Sequence, residues 1–251
     1  MTARFVIVGA PRTGSTLLVR TLNSISGVRC HGELLQRNVV RGLEDGFDPE
    51  QASAEARKAR AERLYAEREA DPVNFIDRAL AGDGLATGLK ITYEIFFDER
   101  WHAVIEGLVG DRDIRFIHLQ RHNGLRRYVS EEILYAGGPN HSGAGGRAEQ
   151  SVQISVDIDA FLARQAEIAD ADKTFRSLIA GREVLDVSYE AMAEDIAAEV
   201  GRVCAFLNPA IDTSGTRAAL SKVGASDLRD TVSNVDALLA HDATREFVLA
   251  Q

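Results

Sequence analysis

Apolar residues near the start of the chain form short runs and then helically spaced positions. Phe5–Val8 predicts a buried strand, and Gly9–Gly14 predicts a tight turn. A helix is expected over Ser15–Ser26, with Gly27 as its stop, and Val28–Cys30 predicts a short second strand. A strand, a helix and a strand in this order are typical of a parallel sheet, which binds ligands at the carboxyl ends of its strands.

The rest of the chain continues this alternation. Residues 49–81 predict one or two amphipathic surface helices, and further helices are expected near 98–109, 123–136 and 158–180. Three apolar runs predict strands, at Ala86–Ile91, Ile114–Leu119 and Glu183–Val187. Beyond residue 210 only a loop and a closing helix around Asp236–Leu239 are expected. The alternation predicts a three-layer, P-loop-like α/β fold with a central parallel sheet flanked by helices.

Composition narrows the class of protein. The 251 residues suit a single domain over 1–251, with 45% hydrophobic and 27% charged residues. The two cysteines, Cys30 and Cys204, are too few for a disulfide framework or a zinc site, so both are expected to be reduced core thiols. No apolar stretch approaches the roughly 20 residues of a membrane span, and no signal-peptide pattern precedes the first strand. The expectation is a cytoplasmic protein.

Charge is unevenly distributed along the chain. The net charge of -9 disfavours general nucleic-acid binding, which needs a basic surface. Residues 1–32 and 114–130 nevertheless each contain four arginines and no carboxylate. Chance clustering on solvated helix faces would explain some of these arginines. The alternative is an anionic ligand held between the two basic segments.

The segment Gly9–Thr16, GAPRTGST, is typical of a phosphate-binding loop. The free N–H groups and the positive dipole end of the following helix point into such a turn, and Arg12, Ser15 and Thr16 add donors. The Walker A pattern G-x-x-x-x-G-K-[ST] matches except that Ser15 occupies the lysine position. A P-loop kinase or NTPase is therefore the alternative function, with Asp186 as the only strand aspartate that could hold magnesium.

A second segment, Phe116–Ser130, also contains anion-binding side chains. An apolar strand ends at Arg121, and the next helix carries Ser130 about two turns further on. Arginine can donate two parallel hydrogen bonds to a phosphate, although an arginine that ends a strand is often only a surface residue. A third segment, Val184–Leu207, predicts a strand, a Tyr-Glu corner and a helix that packing alone would explain.

Together, and in this order, the three segments resemble the sulfotransferases that use 3′-phosphoadenosine 5′-phosphosulfate (PAPS). The resemblance runs from Phe5 to about Leu207. APRTGSTLL is similar to the family's 5′-phosphosulfate loop, LQRHNGLRRYVS to its 3′-phosphate motif, and SYEAMAEDI to a later Tyr-Glu-Asp segment near the adenine. The cofactor-binding positions implied by the resemblance are Pro11, Arg12, Thr13, Gly14, Ser15, Thr16, Arg121, Ser130 and Tyr189.

The chain also departs from the family pattern. Arg12 stands where many members have lysine, and Ala191 replaces the aspartate of the Tyr-Glu-Asp run. The C-terminal Arg-Lys-Gly segment is missing, and Arg229 is only a weak substitute. PRTGS followed by CHGELL resembles bacterial carbohydrate sulfotransferases, such as those that act on trehalose or nodulation factors, more closely than the animal cytosolic enzymes.

The resemblance implies in-line transfer of a sulfuryl group from PAPS to a hydroxyl, with 3′,5′-ADP as the product and no metal. Arg12 and the turn N–H groups would hold the leaving phosphate. The family places the general base at Glu33. His31, with an unperturbed pKa of ~6.5 against ~4.3 for glutamate, is the alternative base on pKa alone. Lys90 would steady the transferring group or form only a salt bridge.

The sequence does not identify the acceptor, which is expected to be a carbohydrate, another small molecule or a lipid such as a glycolipid. It also does not decide whether the protein forms a homo-oligomer. Acceptor contacts are expected from residues 31–48 and 92–102. The aromatic residues of the second region could contact a sugar or fill the core, and the core is predicted for Phe96 and Phe97. The glycine-rich stretch 137–150 is either a flexible linker or an active-site lid that contains His141 and Arg147.

Overall fold

The computed structural model describes residues 2–137, 153–216 and 227–250. Within these ranges a five-stranded parallel sheet has the strand order β2-β3-β1-β4-β5. The strands are β1 (Ala3–Gly9), β2 (Val28–His31), β3 (Ala86–Thr92), β4 (Ile114–Gln120) and β5 (Val184–Ser188). The predicted α/β fold with a central parallel sheet is confirmed.

Helices flank the sheet and connect its strands. The helices that precede β4 are α1 (Ser15–Asn23), α2 (Ala54–Ala70), α3 (Pro72–Leu80), α4 (Tyr93–Phe96) and α5 (His102–Gly110). Those that follow it are α6 (Gly124–Tyr135), α7 (Ile158–Leu178), α8 (Tyr189–Glu194), α9 (Ile196–Leu207), α10 (Val235–Ala240) and α11 (Asp242–Leu249). Short 3₁₀ turns are present at Glu99–Trp101 and Leu228–Asp230.

The first helix is shorter than its sequence pattern predicts. It ends at Asn23 rather than Ser26, because the N–H of Ser24 bonds to the carbonyl of Thr21 and tightens the last turn. The Ser24 hydroxyl donates to the same carbonyl at 2.7 Å. Ile25 is still buried, which explains why the apolar spacing continues past the end of the helix.

Both faces of the sheet are covered, so β1 is apolar without alternation. Val6 and Val8 pack in one cluster with residues of α3, α5 and α7. Phe5 and Ile7 point to the other side and pack with residues of α1 and α9. A third cluster joins α6 and the start of α7 to the C-terminal helices α10 and α11. Cys30 and Cys204 are buried free thiols.

The carboxyl ends of three strands meet at one edge of the sheet. Gly9, the last residue of β1, pairs with Thr92 of β3 and with Leu119 of β4. A Cβ atom at position 9 would collide with the carbonyl oxygen of Leu119, so the close approach of β4 requires glycine here. This register places the turn after β1, Lys90 near the end of β3, and Arg121 just after β4 at the same edge.

Candidate active site

The turn between β1 and α1 is built on two left-handed residues. Gly14 has φ 86° and Arg12 has φ 64°, and Arg12 is the only non-glycine residue with positive φ in the described ranges. The buried Thr13 hydroxyl donates to the carbonyl of Ala10 at 2.9 Å and closes the turn. The N-cap residue of α1 is Gly14, which has no side chain that could cap the helix. The backbone N–H groups of its first turn are therefore suited to bind an anion.

The predicted 3′-phosphate residues contact this turn directly. Arg12 Nε donates to Ser130 Oγ at 3.1 Å, and Arg121 Nη1 donates to the carbonyl oxygen of Arg12 at 3.2 Å. Burial lowers the pKa of both arginines, more than Glu131 and Glu33 raise that of Arg12 and more than Tyr189 and Glu190 raise that of Arg121. The structure thus brings Arg12, Arg121 and Ser130 into one cationic site.

Tyr189 forms the wall of this site. Its ring lies 4.2 Å from the guanidinium carbon of Arg121 and packs against the backbone of Gly14. The Nε atom of Arg121 is buried and has no hydrogen-bond partner among the described residues. An unpaired buried donor costs about 1–3 kcal/mol, which an anion bound at this position would offset.

Glu190 is a residue of this site that the sequence did not reveal. Its carboxylate oxygens accept hydrogen bonds from the backbone N–H groups of His122 at 3.1 Å and Asn123 at 3.2 Å. Tyr189 therefore contacts the guanidinium of Arg121, and Glu190 fixes the backbone that follows Arg121. Only the adjacency of Tyr189 and Glu190 after a strand hinted at this role.

The C-terminal segment is tied to the same region. The side-chain amide of Asn123 donates to the carbonyl oxygens of Phe247 at 3.2 Å and Ala250 at 2.8 Å. Its carbonyl oxygen caps α6 by accepting from the N–H of Arg126 at 2.9 Å. The last helix thus supports the start of α6, the helix that carries Ser130.

Glu33 and Lys90 form an ion pair on the other side of the phosphate-binding turn. Lys90 Nζ lies 2.7 Å from Glu33 Oε1, and both side chains are largely buried. Burial alone would raise the pKa of Glu33, but Lys90, a hydrogen bond from Gln36 and the charge of Arg41 hold that pKa below its usual range. Glu33 is therefore a carboxylate at neutral pH, and its charge also acts on Arg12.

One protein family has a model that matches the first part of the chain. Residues 4–102 match the model of the sulfotransferase family. Over this segment the chain is similar to sulfotransferases. The matched segment contains the phosphate-binding turn, Glu33 and Lys90, whereas Arg121, Ser130 and Tyr189 lie beyond it.

Solved structures similar to this chain are distant in sequence. A sulfotransferase from Alicyclobacillus acidocaldarius is 16% identical, with a TM-score of 0.48, and the alignment covers 100% of this chain and 97% of that one. The sulfotransferase domain of the Synechococcus PCC 7002 olefin synthase is 16% identical, with a TM-score of 0.49 and 96% of each chain covered. That of the curacin biosynthetic pathway is also 16% identical, with a TM-score of 0.49, and covers 82% and 74%. No curated protein sequence matches the chain significantly.

Both ring nitrogens of His31 are engaged in hydrogen bonds. Its Nε2 donates to the carbonyl oxygen of Ala79 at 2.8 Å, and its Nδ1 accepts from the N–H of Glu44 at 3.0 Å. The ring is 2% exposed, and burial lowers its pKa. These contacts fix the neutral ring and favour a structural role for His31 over that of the base.

Other predicted residues lie apart from the cationic site. Arg229 pairs with Asp236 at 2.8 Å on the surface. Asp186, the candidate magnesium ligand of the kinase alternative, is engaged by His118 at 3.0 Å and by Arg176 at 2.9 Å. The stretch 138–152, which contains most of the predicted lid with His141 and Arg147, lies outside the described residues.

The aromatic residues after β3 divide between core and surface. Tyr93, Phe96 and Trp101 are buried, whereas Phe97 is 38% exposed. The core prediction is correct for Phe96 and wrong for Phe97. Phe97 follows the last residue of the one-turn helix α4 and packs edge-on against Phe96 from the outside.

A cavity of about 460 Å³ lies between α6 and α7 and reaches the phosphate-binding turn at Pro11. Tyr128 and Tyr135 contribute aromatic surface, and Arg164 joins Glu131 at 2.9 Å within its wall. The volume is within the range of small-molecule sites. In the described ranges no helix is long and apolar enough to cross a bilayer, and no group of three or more potential metal ligands is present.

Proposed function

We propose that residues 1–251 act as a single sulfotransferase domain that transfers a sulfuryl group from PAPS to a hydroxyl of a small-molecule acceptor, a carbohydrate or a lipid. The observation that carries this proposal is the junction of the two anion-binding motifs. Arg12 contacts Ser130, and Arg121 contacts the Arg12 backbone. One ligand with phosphate groups at both its 3′ and 5′ positions would satisfy both motifs.

The residues present fit this co-substrate. The turn from Pro11 to Thr16 would hold the 5′-phosphosulfate through backbone N–H groups and the Arg12 side chain. Arg121, whose buried Nε has no partner in the described structure, would hold the 3′-phosphate with Ser130. Tyr189 would lie near the adenine. PAPS supplies the sulfuryl group, and the protein supplies position and charge.

Glu33 is proposed to accept the proton of the attacking hydroxyl. Its carboxylate is ionised at neutral pH because Lys90 and Gln36 stabilise the charged form against burial. The same contacts weaken it as a base. Lys90 would relieve this by turning its ammonium towards the negative charge that develops on the leaving 5′-phosphate as its bond to the sulfuryl group breaks, since Glu33 then loses a stabilising partner and gains proton affinity.

Labelled PAPS offered with a panel of sugars, lipids and phenols tests the proposal. Labelled product should form without added magnesium, and 3′,5′-ADP should raise the melting temperature more than ATP does. A strict magnesium requirement, or stabilisation by ATP and not by 3′,5′-ADP, would contradict PAPS-dependent transfer.

A further inference from the structure

Arg68 of α2 is fully buried although it carries a charge that the proposed reaction does not use. Its guanidinium donates to four backbone carbonyl oxygens of the segment that follows β2. Nη1 donates to Leu34 at 2.9 Å, to Gln36 at 2.5 Å and to Val39 at 3.1 Å, and Nη2 donates to Arg37 at 3.3 Å. A buried guanidinium that donates to several carbonyl oxygens holds the backbone of the surrounding loop in place.

The loop in question, residues 32–42, contains the proposed base and is called here the Glu33 loop. Its two ends are joined by hydrogen bonds from the N–H of Gly32 to the carbonyl of Gly42, at 2.7 Å, and from the N–H of Arg41 to the carbonyl of Glu33, at 3.2 Å. The carbonyl groups that face the inside of such a closed loop need donors. Arg68 supplies them for four residues.

Surrounding side chains fix the orientation of the guanidinium. Its Nε donates to Glu69 at 3.0 Å, and its carbon lies 5.1 Å from the ring centre of Tyr65 and 4.9 Å from that of Trp101. Arg100 covers the Trp101 ring at the same 4.9 Å and pairs with Glu69. The planar group therefore has one position between α2 and the 3₁₀ turn after β3.

We propose that Arg68 is a positioning residue that sets the place of the Glu33 carboxylate by holding the backbone of the Glu33 loop. Two contacts connect them. The Leu34 carbonyl follows Glu33 directly in the chain, and Gln36 accepts from Arg68 through its backbone while it donates to Glu33 through its side chain. The catalytic part of this inference rests on the proposed function, in which Glu33 is the base.

Arg182 offers a matched control. It also donates to three backbone carbonyl oxygens, those of Val109, Asp111 and Ile114. These lie at the opposite edge of the sheet, where β4 and β5 begin. Replacing Arg182 removes the same kind of contact and lowers stability without touching the Glu33 loop.

Carbon-13 NMR titration of the Glu33 carboxyl tests the inference without any assay of turnover. The resonance is assigned by its loss in Glu33→Gln. Arg68→Met should raise the Glu33 pKa, because the carboxylate moves away from Lys90 and Gln36, and Arg68→Lys should raise it less. Arg182→Met should leave it unchanged. An unaltered Glu33 pKa in folded Arg68→Met overturns the inference; if that variant does not fold, an unaltered pKa in Arg68→Lys overturns it.

Turnover gives the second readout. Arg68→Met should lower kcat by about tenfold to a hundredfold, the cost of a misplaced reacting group, and Arg68→Lys should recover part of the loss. Affinity for 3′,5′-ADP should stay within about twofold, since the phosphate-binding turn is untouched. Arg182→Met should keep the wild-type kcat despite a lower melting temperature. If wild type transfers no sulfuryl group, the proposed function fails, and the titration still decides the role of Arg68.

Discussion

The ionisation of Glu33 depends on opposing local effects. Burial favours the neutral acid, whereas the Lys90 ammonium at 2.7 Å and the Gln36 amide favour the carboxylate. The charged form is the stable one at neutral pH. An ionised carboxylate can accept a proton directly, and the contact with Lys90 lowers its proton affinity.

Glu33→Gln should lower kcat by about 10²- to 10⁴-fold, because the amide cannot take the proton of the acceptor hydroxyl. Affinity for 3′,5′-ADP should be unchanged. Glu183→Gln is the control, since Glu183 is exposed and pairs with Arg115 on the surface. Steady-state kinetics with labelled PAPS measure both variants; a Glu33→Gln variant with wild-type kcat would show that the base lies elsewhere.

Lys90→Met should shift the acid limb of the kcat/KM profile to higher pH. With the ammonium removed, burial of Glu33 is opposed only by Gln36 and Arg41, so the pKa of the carboxyl rises. Activity that wild type keeps in mildly acidic buffer is then lost. The profile of initial rate against pH reports the change, and an acid limb at the wild-type position would argue that Lys90 does not control Glu33.

The element formed by β1, the phosphate-binding turn and α1 depends on backbone conformation as much as on side chains. Its two left-handed residues aim the first N–H groups of α1 into the turn. A non-glycine residue in this conformation costs about 1–3 kcal/mol, and Arg12 is held there although a glycine would avoid the cost. Strain at a ligand-binding turn is consistent with the role proposed for its side chain.

Gly14→Ala should weaken 3′,5′-ADP binding by about tenfold, because one ligand-binding group is displaced. A tenfold loss of affinity corresponds to about 1.4 kcal/mol of binding free energy. The new Cβ would lie 2.7 Å from the Tyr189 ring and push it off the Arg121 guanidinium. Gly46→Ala is the control, because Gly46 has nearly the same φ, 84°, and nothing within 4 Å of the new atom. Isothermal titration calorimetry should separate the two variants; equal affinities would show that the contact of Tyr189 with Arg121 does not contribute to binding.

The sequence predicts the elements well where a local pattern determines them. The central strand β1 contains an apolar run because both of its faces are buried, and the phosphate-binding turn follows from its glycines. Contacts between distant segments leave no such pattern. Three such contacts are the hydrogen bond from His31 to Ala79, the hydrogen bond from the backbone N–H of His122 to Glu190, and that from Arg68 to Leu34. All three depend on how distant parts of the chain pack together.

At the scale of the whole molecule, buried neutral histidines link stability to pH. Burial lowers the pKa of His31 and, despite the neighbouring Asp186 and Asp172, that of His118. The unfolded chain therefore binds protons below pH ~6.5 that the folded chain does not. Stability from these residues is complete above that pH and is lost as the pH falls towards the folded pKa values.

Urea unfolding should accordingly give a lower free energy of unfolding at pH 5.5 than at pH 7.5. His31→Gln should show a smaller decrease over the same interval, because one of the two linked groups is gone. Exposed His102, with both its ring and its partner Glu106 on the surface, provides the control substitution His102→Gln. Wild-type stability that does not change across this interval would contradict the burial of neutral histidine.

We expect one cationic site to recognise a nucleotide with both 3′ and 5′ phosphates. Calorimetry of 3′,5′-ADP and 5′-AMP binding to wild type, Arg121→Ala and the surface control Arg229→Ala measures this recognition. Wild type and Arg229→Ala should bind 3′,5′-ADP at least about tenfold more tightly than 5′-AMP, since a charge-assisted hydrogen bond to the 3′-phosphate is worth about 1.5–3 kcal/mol. Arg121→Ala should lose this preference. Equal affinity of wild type for the two nucleotides would show that the site does not recognise a 3′-phosphate.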